Sequence, residues 1–117
     1  MGAGLSKNRI KGLSASVDQN SAVLILGTLP GRMSLTYGKY YADPSNKFWD
    51  ILFIACGEKI DKTDQGKKQL LEKYHIALWD ILYSAVRKTS NDKDISDETP
   101  NNLPLFLSQY PNIKLLI

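Results

Sequence analysis

The chain has 117 residues, 43% of them hydrophobic and 23% charged, with 15 Lys and Arg against 12 Asp and Glu for a formal net charge of +3. That length holds one globular domain and excludes a two-domain enzyme, while the apolar content at so low a net charge excludes a wholly disordered chain. The longest unbroken apolar run, Ile51 to Cys56, is six residues, where a membrane-spanning helix needs about 20. The basic amino end (Lys7, Arg9, Lys11) leads into no apolar stretch of the kind a secretory leader needs, so the cytoplasm is the expected compartment. Cys56 sits inside the apolar run and reads as a small buried hydrophobe. With one Cys and one His, His75, a four-ligand zinc set cannot be assembled without unusual help from carboxylates, and neither a metal nor a cofactor is expected.

In chain order, residues 1 to 20 are rich in Ser, Asn, Gly and Lys without a period and read as an irregular, mildly basic arm ahead of a single domain over 21 to 117. Ala22 to Leu26 is a continuous apolar run stopped at Gly27, which suits a parallel strand buried on both faces. Gly27 to Asp43 turns to Gly, Pro, Ser and Tyr and predicts a long functional loop. Asp43-Pro44 supplies an N-cap residue with Pro at the first helical position, and Phe48, Ile51, Leu52 and Ala55 follow at helical spacing up to Gly57, predicting a helix from Pro44 to Cys56. A second helix is predicted over Lys67 to Tyr74, then a strand over Ile76 to Trp79, with Asp80 capping a further helical turn. Thr89 to Asn101 is acidic and nearly devoid of apolar residues, which predicts a solvated loop. Asn102 is placed to cap a helix carrying Leu103, Leu105, Phe106 and Leu107, and Ile113 to Ile117 reads as a last strand.

Alternating strands and helices predict an α/β domain of three layers, helices on both faces of a mostly parallel central sheet. Because the chain stops on Leu115-Leu116-Ile117, in the middle of that apolar strand, a truncation at the carboxyl end is expected.

The segment Gly27-Thr28-Leu29-Pro30-Gly31 follows the first buried strand and so falls at the carboxyl edge of the sheet, where ligands of open α/β folds bind. Its glycines let backbone amides approach a ligand closely, but taken alone the pattern is equally that of a tight turn, and no Gly-Lys-Ser/Thr follows to make it a phosphate loop. Ser34 comes next, then Tyr40-Tyr41-Ala42-Asp43-Pro44-Ser45-Asn46-Lys47-Phe48-Trp49, all within 23 residues. This constellation resembles the uracil-DNA glycosylase superfamily. The Gly-x-x-Pro-Gly loop, the paired tyrosines and the Pro-x-Asn-x-Phe-Trp segment are most similar to its hypoxanthine-DNA (deoxyinosine) glycosylase branch. The likeness runs from about Ser21 to Ile117, with Leu78-Trp79-Asp80 and Pro100-Asn101-Asn102 agreeing in pattern.

The resemblance implies a base-excision enzyme that hydrolyses the N-glycosidic bond of a deaminated base, hypoxanthine before uracil, flipped out of DNA. It implies that Gly27, Thr28, Leu29, Pro30 and Gly31 bind the base, the backbone N–H donors of the loop Thr28 to Gly31, among which Pro30 has none, holding the negative charge that develops as it leaves, and that Tyr41 is the stacking platform. Better-known branches carry an Asp or Asn at the third position of the first motif, where this chain has Leu29, which can neither donate nor accept a hydrogen bond. The resemblance moves that role to Asn46, which orients water because an amide is no base. Asn46 read by itself is equally a first-turn cap of its own helix. Asp43 stands where many relatives carry His, and it suits a plain N-cap. Phe48 and Trp49 read as packing residues, Asp80 as a cap and His75 as a structural histidine. Arg32, Lys39 and Lys47 flank the proposed pocket with only Asp43 opposing, and with Ser34 they are the expected phosphate contacts. A second superfamily motif that enters the DNA has no match here and would follow Ile117. The expected partner is therefore DNA containing a deaminated base, bound by a monomer with no membrane association. The rival reading is a non-catalytic nucleic-acid or nucleobase-binding domain, which Leu29 favours.

Overall fold

A computed structural model describes residues 9 to 88 and 94 to 117. Among these residues, six strands and four helices follow the order β1 (Arg9–Lys11), β2 (Val23–Gly27), α1 (Arg32–Tyr37), α2 (Phe48–Ala55), α3 (Asp64–Tyr74), β3 (Ile76–Asp80), β4 (Leu82–Arg87), β5 (Ile95–Pro100), α4 (Leu103–Gln109) and β6 (Leu115–Leu116).

The apolar run after Ser21 becomes β2, the centre of a three-stranded parallel sheet of order β3-β2-β6. Its register sets Val23 beside Ile76 and Leu115, and brings Gly27 level with Asp80. Side chains alternate across this sheet with the period of two that pleating imposes. Leu24 and Ala77 face Phe106 and Ile113, with Leu26 and Trp79 packed beside them. Leu78, with Ile25 packed alongside, faces Trp49, Phe53, Leu70 and Leu71. Helices α2 and α3 therefore cover one face and α4 the other, which is the expected layering. Parallel neighbours demand a crossover, and the whole stretch from Thr28 to His75, three helices long, makes the one between β2 and β3.

The sheet is not mostly parallel throughout. A second sheet of order β1-β4-β5 is antiparallel on both sides of β4. Only Ile81 separates β3 from β4, so the chain passes directly from one sheet into the other, and Asp80 ends a strand instead of capping a helical turn. Arg9–Lys11, within the arm expected to be irregular, pairs with β4 through Arg9 and Val86. Ile95–Pro100, inside the expected solvated loop, is the other edge strand, almost wholly exposed. An edge strand wetted on both faces has no apolar alternation to reveal it. Residues 89 to 93 of that expected loop lie outside the described residues.

Two further boundaries differ. The long loop contains α1, which begins at Gly31 and closes on Gly38 in the left-handed conformation, φ 65°. Helix α2 starts at Phe48, four residues later than Pro44, with Lys47 as its N-cap. Asp43 Oδ1 accepts instead from the N–H and Oγ of Ser45, and Asn46 Oδ1 accepts from the Phe48 N–H. These are two successive turns closed by a side chain on the backbone two residues on, which compete with helix for the same amides. Helix α3 extends three residues earlier than expected because Thr63 caps it through the Gly66 N–H. The Asn102 cap forms as read, accepting from the Leu105 N–H at 3.0 Å.

Candidate functional site

Where β2 ends, the segment Gly27 to Gly31 crosses the carboxyl edge of the parallel sheet and is held by its carbonyls. Gly27 O accepts from the Ile81 N–H at 2.8 Å, Thr28 O from the Leu82 N–H at 3.1 Å, and Gly31 O from the Leu35 N–H at 3.1 Å. Pro30 O accepts from Nη2 of Arg87. The peptides are trans, and in a trans peptide the N–H points opposite to the C=O of the same unit. Carbonyls engaged on the β4 side therefore direct the N–H groups of Thr28, Leu29 and Gly31 away from β4. A cavity of about 430 Å³ is lined by Gly27 to Ser34, Tyr40, Tyr41, Asp43, Asn46 and Asp80, and by no residue of β4. Leu29 is among these lining residues. Its side chain is buried with Leu82 and Ala85, an apolar plug between loop and second sheet.

Tyr41 stands across the cavity. Its backbone is left-handed, φ 52°, an unusual state for an aromatic residue, and its ring stacks on Phe48 at 3.7 Å between centroids and 15° between planes. Burial, and then the charge of Asp80, push its phenol up, so at neutral pH it stays protonated and able to donate. Tyr40 is shifted in the same direction for the same leading reason, and its hydroxyl donates to Ser14 O at 2.8 Å. Trp49, buried, fixes this corner by donating from Nε1 to Tyr40 O at 3.1 Å, which bears out its reading as a packing residue. Asn46 reaches the cavity with one lone-pair direction of Oδ1 already used on the Phe48 N–H. The amide keeps a second lone pair and two donors for a ligand or a water.

Asp80 is the site residue that sequence reasoning missed, having taken it for a cap. It is 5% exposed and lines the cavity. An atom placed at the Cβ position of Gly27 would lie 2.4 Å from its Oδ1 and 3.6 Å from the Tyr41 hydroxyl. The signal that could have found it is registration. A carboxylate ending a strand that pairs in register with the Gly27 strand must fall at the same sheet edge. Asp43 also lines the cavity, and the two hydrogen bonds from Ser45 hold its carboxyl below the usual range.

The expected phosphate contacts separate. Arg32 is exposed and borders the cavity. Ser34 is buried, and its Oγ accepts from the Ala42 N–H at 3.2 Å, tying the tyrosine loop to α1. Lys39 lies outside the cavity lining and pairs with Asp64 at 2.9 Å, so Asp43 is not the only opposing acid. Lys47 is exposed and likewise outside the lining. Cys56 is half-buried, and burial, then Glu58, push its thiol up. His75 closes α3 in the left-handed conformation, its carbonyl accepting from the Ala22 and Val23 amides, a structural position.

Residues 15–117 match the family model described as the Uracil DNA glycosylase superfamily. The chain is 33% identical over 108 residues to the Hypoxanthine DNA glycosylase of Methanosarcina barkeri, covering 92% of this chain and 68% of that protein. It is 34% identical over 107 residues to the protein of the same name from Methanosarcina acetivorans, covering 91% and 68%. The solution NMR structure of a candidate uracil DNA glycosylase from Methanosarcina acetivorans superposes with a TM-score of 0.81 at 33% identity, over 92% of this chain and 68% of that one.

Proposed function

Because the chain belongs to the uracil-DNA glycosylase superfamily, we propose that it is a DNA glycosylase that hydrolyses the N-glycosidic bond of a deaminated base, hypoxanthine in preference to uracil. The observation that carries this reading is that one cavity of about 430 Å³ is lined together by Thr28, Leu29, Gly31, Tyr41 and Asn46. The names of the two Methanosarcina relatives support hypoxanthine as the substrate.

In this mechanism the base leaves the duplex stack and lies on the face of Tyr41 opposite Phe48, a contact worth about 1 to 3 kcal/mol. As the bond from C1′ to the base nitrogen breaks, the electron pair goes to the base. The N–H groups of Thr28, Leu29 and Gly31 hold the resulting anion, each worth up to ~3 to 4 kcal/mol by comparison with oxyanion donors elsewhere. Asn46 Oδ1 accepts from a water and aims its oxygen at C1′. The new C–O bond forms there, and the water's proton neutralises the departing base. No group of the chain needs to be a strong base, which removes the difficulty posed by Leu29. Arg32, with Lys47 beyond the cavity lining, meets the phosphates.

The test is release of base from duplexes carrying one deoxyinosine or one deoxyuridine, read as alkali-labile strand cleavage. Asn46→Ala should slow release roughly hundredfold, the scale on which lost positioning acts. It also removes the acceptor of the Phe48 N–H, a cap-like loss of about 1 kcal/mol, so Asn46→Ser, whose hydroxyl can keep that turn, separates chemistry from stability. Full activity of either variant removes Asn46 from the mechanism. Tight binding of the inosine duplex with no abasic product selects a non-catalytic nucleobase-binding domain instead.

A further inference from the structure

We infer that Arg87, on the second sheet and outside the cavity, is a positioning residue for base release, acting through the Pro30–Gly31 peptide; the inference rests on the glycosylase reading of that cavity. Arg87 ends β4 and is 5% exposed. Its Nη2 donates to Pro30 O, while its Nε and Nη1 are buried with no acceptor among the described residues. Leu29, Leu82 and Ala85 form the buried apolar cluster at this junction of loop and sheet.

A buried cation with two unsatisfied donors is costly, and apolar side chains of similar volume commonly serve packing better. Packing therefore does not account for an arginine here, and the one hydrogen bond its side chain makes among the described residues has to. That bond falls on a single peptide. The carbonyls of Gly27, Thr28 and Gly31 are held by backbone amides, which no side-chain replacement can remove, whereas Pro30 O is held by Arg87. The same peptide carries the Gly31 N–H on its opposite side. An atom added at Cβ of Gly31 would meet nothing within 4 Å, and Gly31 is among the residues that line the cavity. A guanidinium on the carbonyl draws electron density through the peptide and makes its N–H a stronger donor, the cooperative effect of linked hydrogen bonds in a low-dielectric setting. It also places a positive charge one peptide unit from where the departing base gathers negative charge, in surroundings that screen it little. Interactions that grow with charge separation lower the barrier without strengthening ground-state binding.

The test compares Arg87→Met and Arg87→Lys with the parent protein in three measurements: single-turnover release of hypoxanthine, affinity for the same duplex, and thermal midpoint. A fourth, the amide proton resonance of Gly31, requires no activity. Arg87→Met should release base roughly tenfold to hundredfold more slowly, part of what loss of a whole oxyanion donor costs. Duplex affinity should stay within about threefold, because the interaction grows only towards the transition state. The thermal midpoint should be unchanged or raised, since an uncompensated buried charge has gone, and the Gly31 resonance should move upfield. Arg87→Lys, which keeps a cation and a donor, should recover part of the rate. A parental rate in Arg87→Met, or rate, affinity and midpoint falling together, overturns the inference. If the parent releases no base from either duplex, the glycosylase reading fails. The Gly31 resonance then still decides whether Arg87 sets that peptide, an unmoved resonance overturning it.

Discussion

Gly27, Asp80 and Tyr41 meet at one point, where the register of β2 with β3 brings a backbone without a side chain against a buried carboxylate. A methyl group on Gly27 would sit 2.4 Å from Asp80 Oδ1, a separation real Cβ atoms do not sustain, so either the carboxylate or the strand must move. Gly27→Ala is expected to destabilise the protein by about 1 to 3 kcal/mol, the usual cost of overpacking. In an Asp80→Ala background the same change should cost less than about 0.5 kcal/mol, because the clash partner is gone. Denaturant unfolding of the two single variants and the double variant measures this coupling. Additivity of the two changes would mean that Gly27 is constrained by something other than Asp80. At this scale the candidate site was legible in part. Thr28 to Gly31, Tyr41 and Asn46 all reach one cavity, whereas Asp80 went unrecognised because a single acid after a strand has no local signature. Its meaning comes from a glycine 53 positions earlier in the chain.

Helices α2 and α3 must hold their mutual position for Phe48 to support Tyr41. Part of that hold is a polar clasp at their carboxyl ends. Glu58 Oε2 accepts from the Tyr74 hydroxyl and from Lys73 Nζ, and Cys56 O lies 3.0 Å from the Tyr74 hydroxyl oxygen as an alternative acceptor for its one proton. Lys73 and then Tyr74, by hydrogen bonding, lower the Glu58 carboxyl below its ordinary value. A depressed carboxyl contributes stability above its unfolded pKa, about 4.3 for glutamate, and that contribution is lost as pH falls through the lower folded value. The thermal midpoint of the parent should therefore exceed that of Glu58→Gln near neutrality, with the gap closing between about pH 5 and pH 3. A gap that persists at the acid end would assign the clasp to packing rather than charge. These helices were readable from their apolar spacing. Their starts were displaced because short side chains of Asp43, Asn46 and Thr63 choose among competing backbone amides, a choice the spacing does not record.

Across the whole molecule the net charge is +3, and little of it faces the cavity. Lys39 pairs with Asp64, Arg32 borders the cavity and Lys47 lies outside its lining. Non-specific duplex affinity should thus fall with salt at a shallow logarithmic slope of about −2, close to two phosphate contacts at about 0.9 each. Lys47→Ala should reduce that slope by about 1, while Lys39→Ala should leave it nearly unchanged. A fluorescence-anisotropy titration at several salt concentrations reads both, and a slope that responds to Lys39 would place the duplex on the α3 side.

The α/β class, the central strand, helices α2, α3 and α4, and the loop-tyrosine-asparagine constellation were determined by the sequence alone, because each rests on apolar runs, helical spacing or residue types that are near neighbours in the chain. Only the tertiary structure decided the second, antiparallel sheet, the burial of Ser34, the pairing of Lys39, and the places of Asp80 and Arg87. Each of these depends on contacts between residues far apart in sequence. An exposed edge strand such as Ile95–Pro100 leaves no period to read, and a buried ionisable group shows its environment only when distant segments close around it.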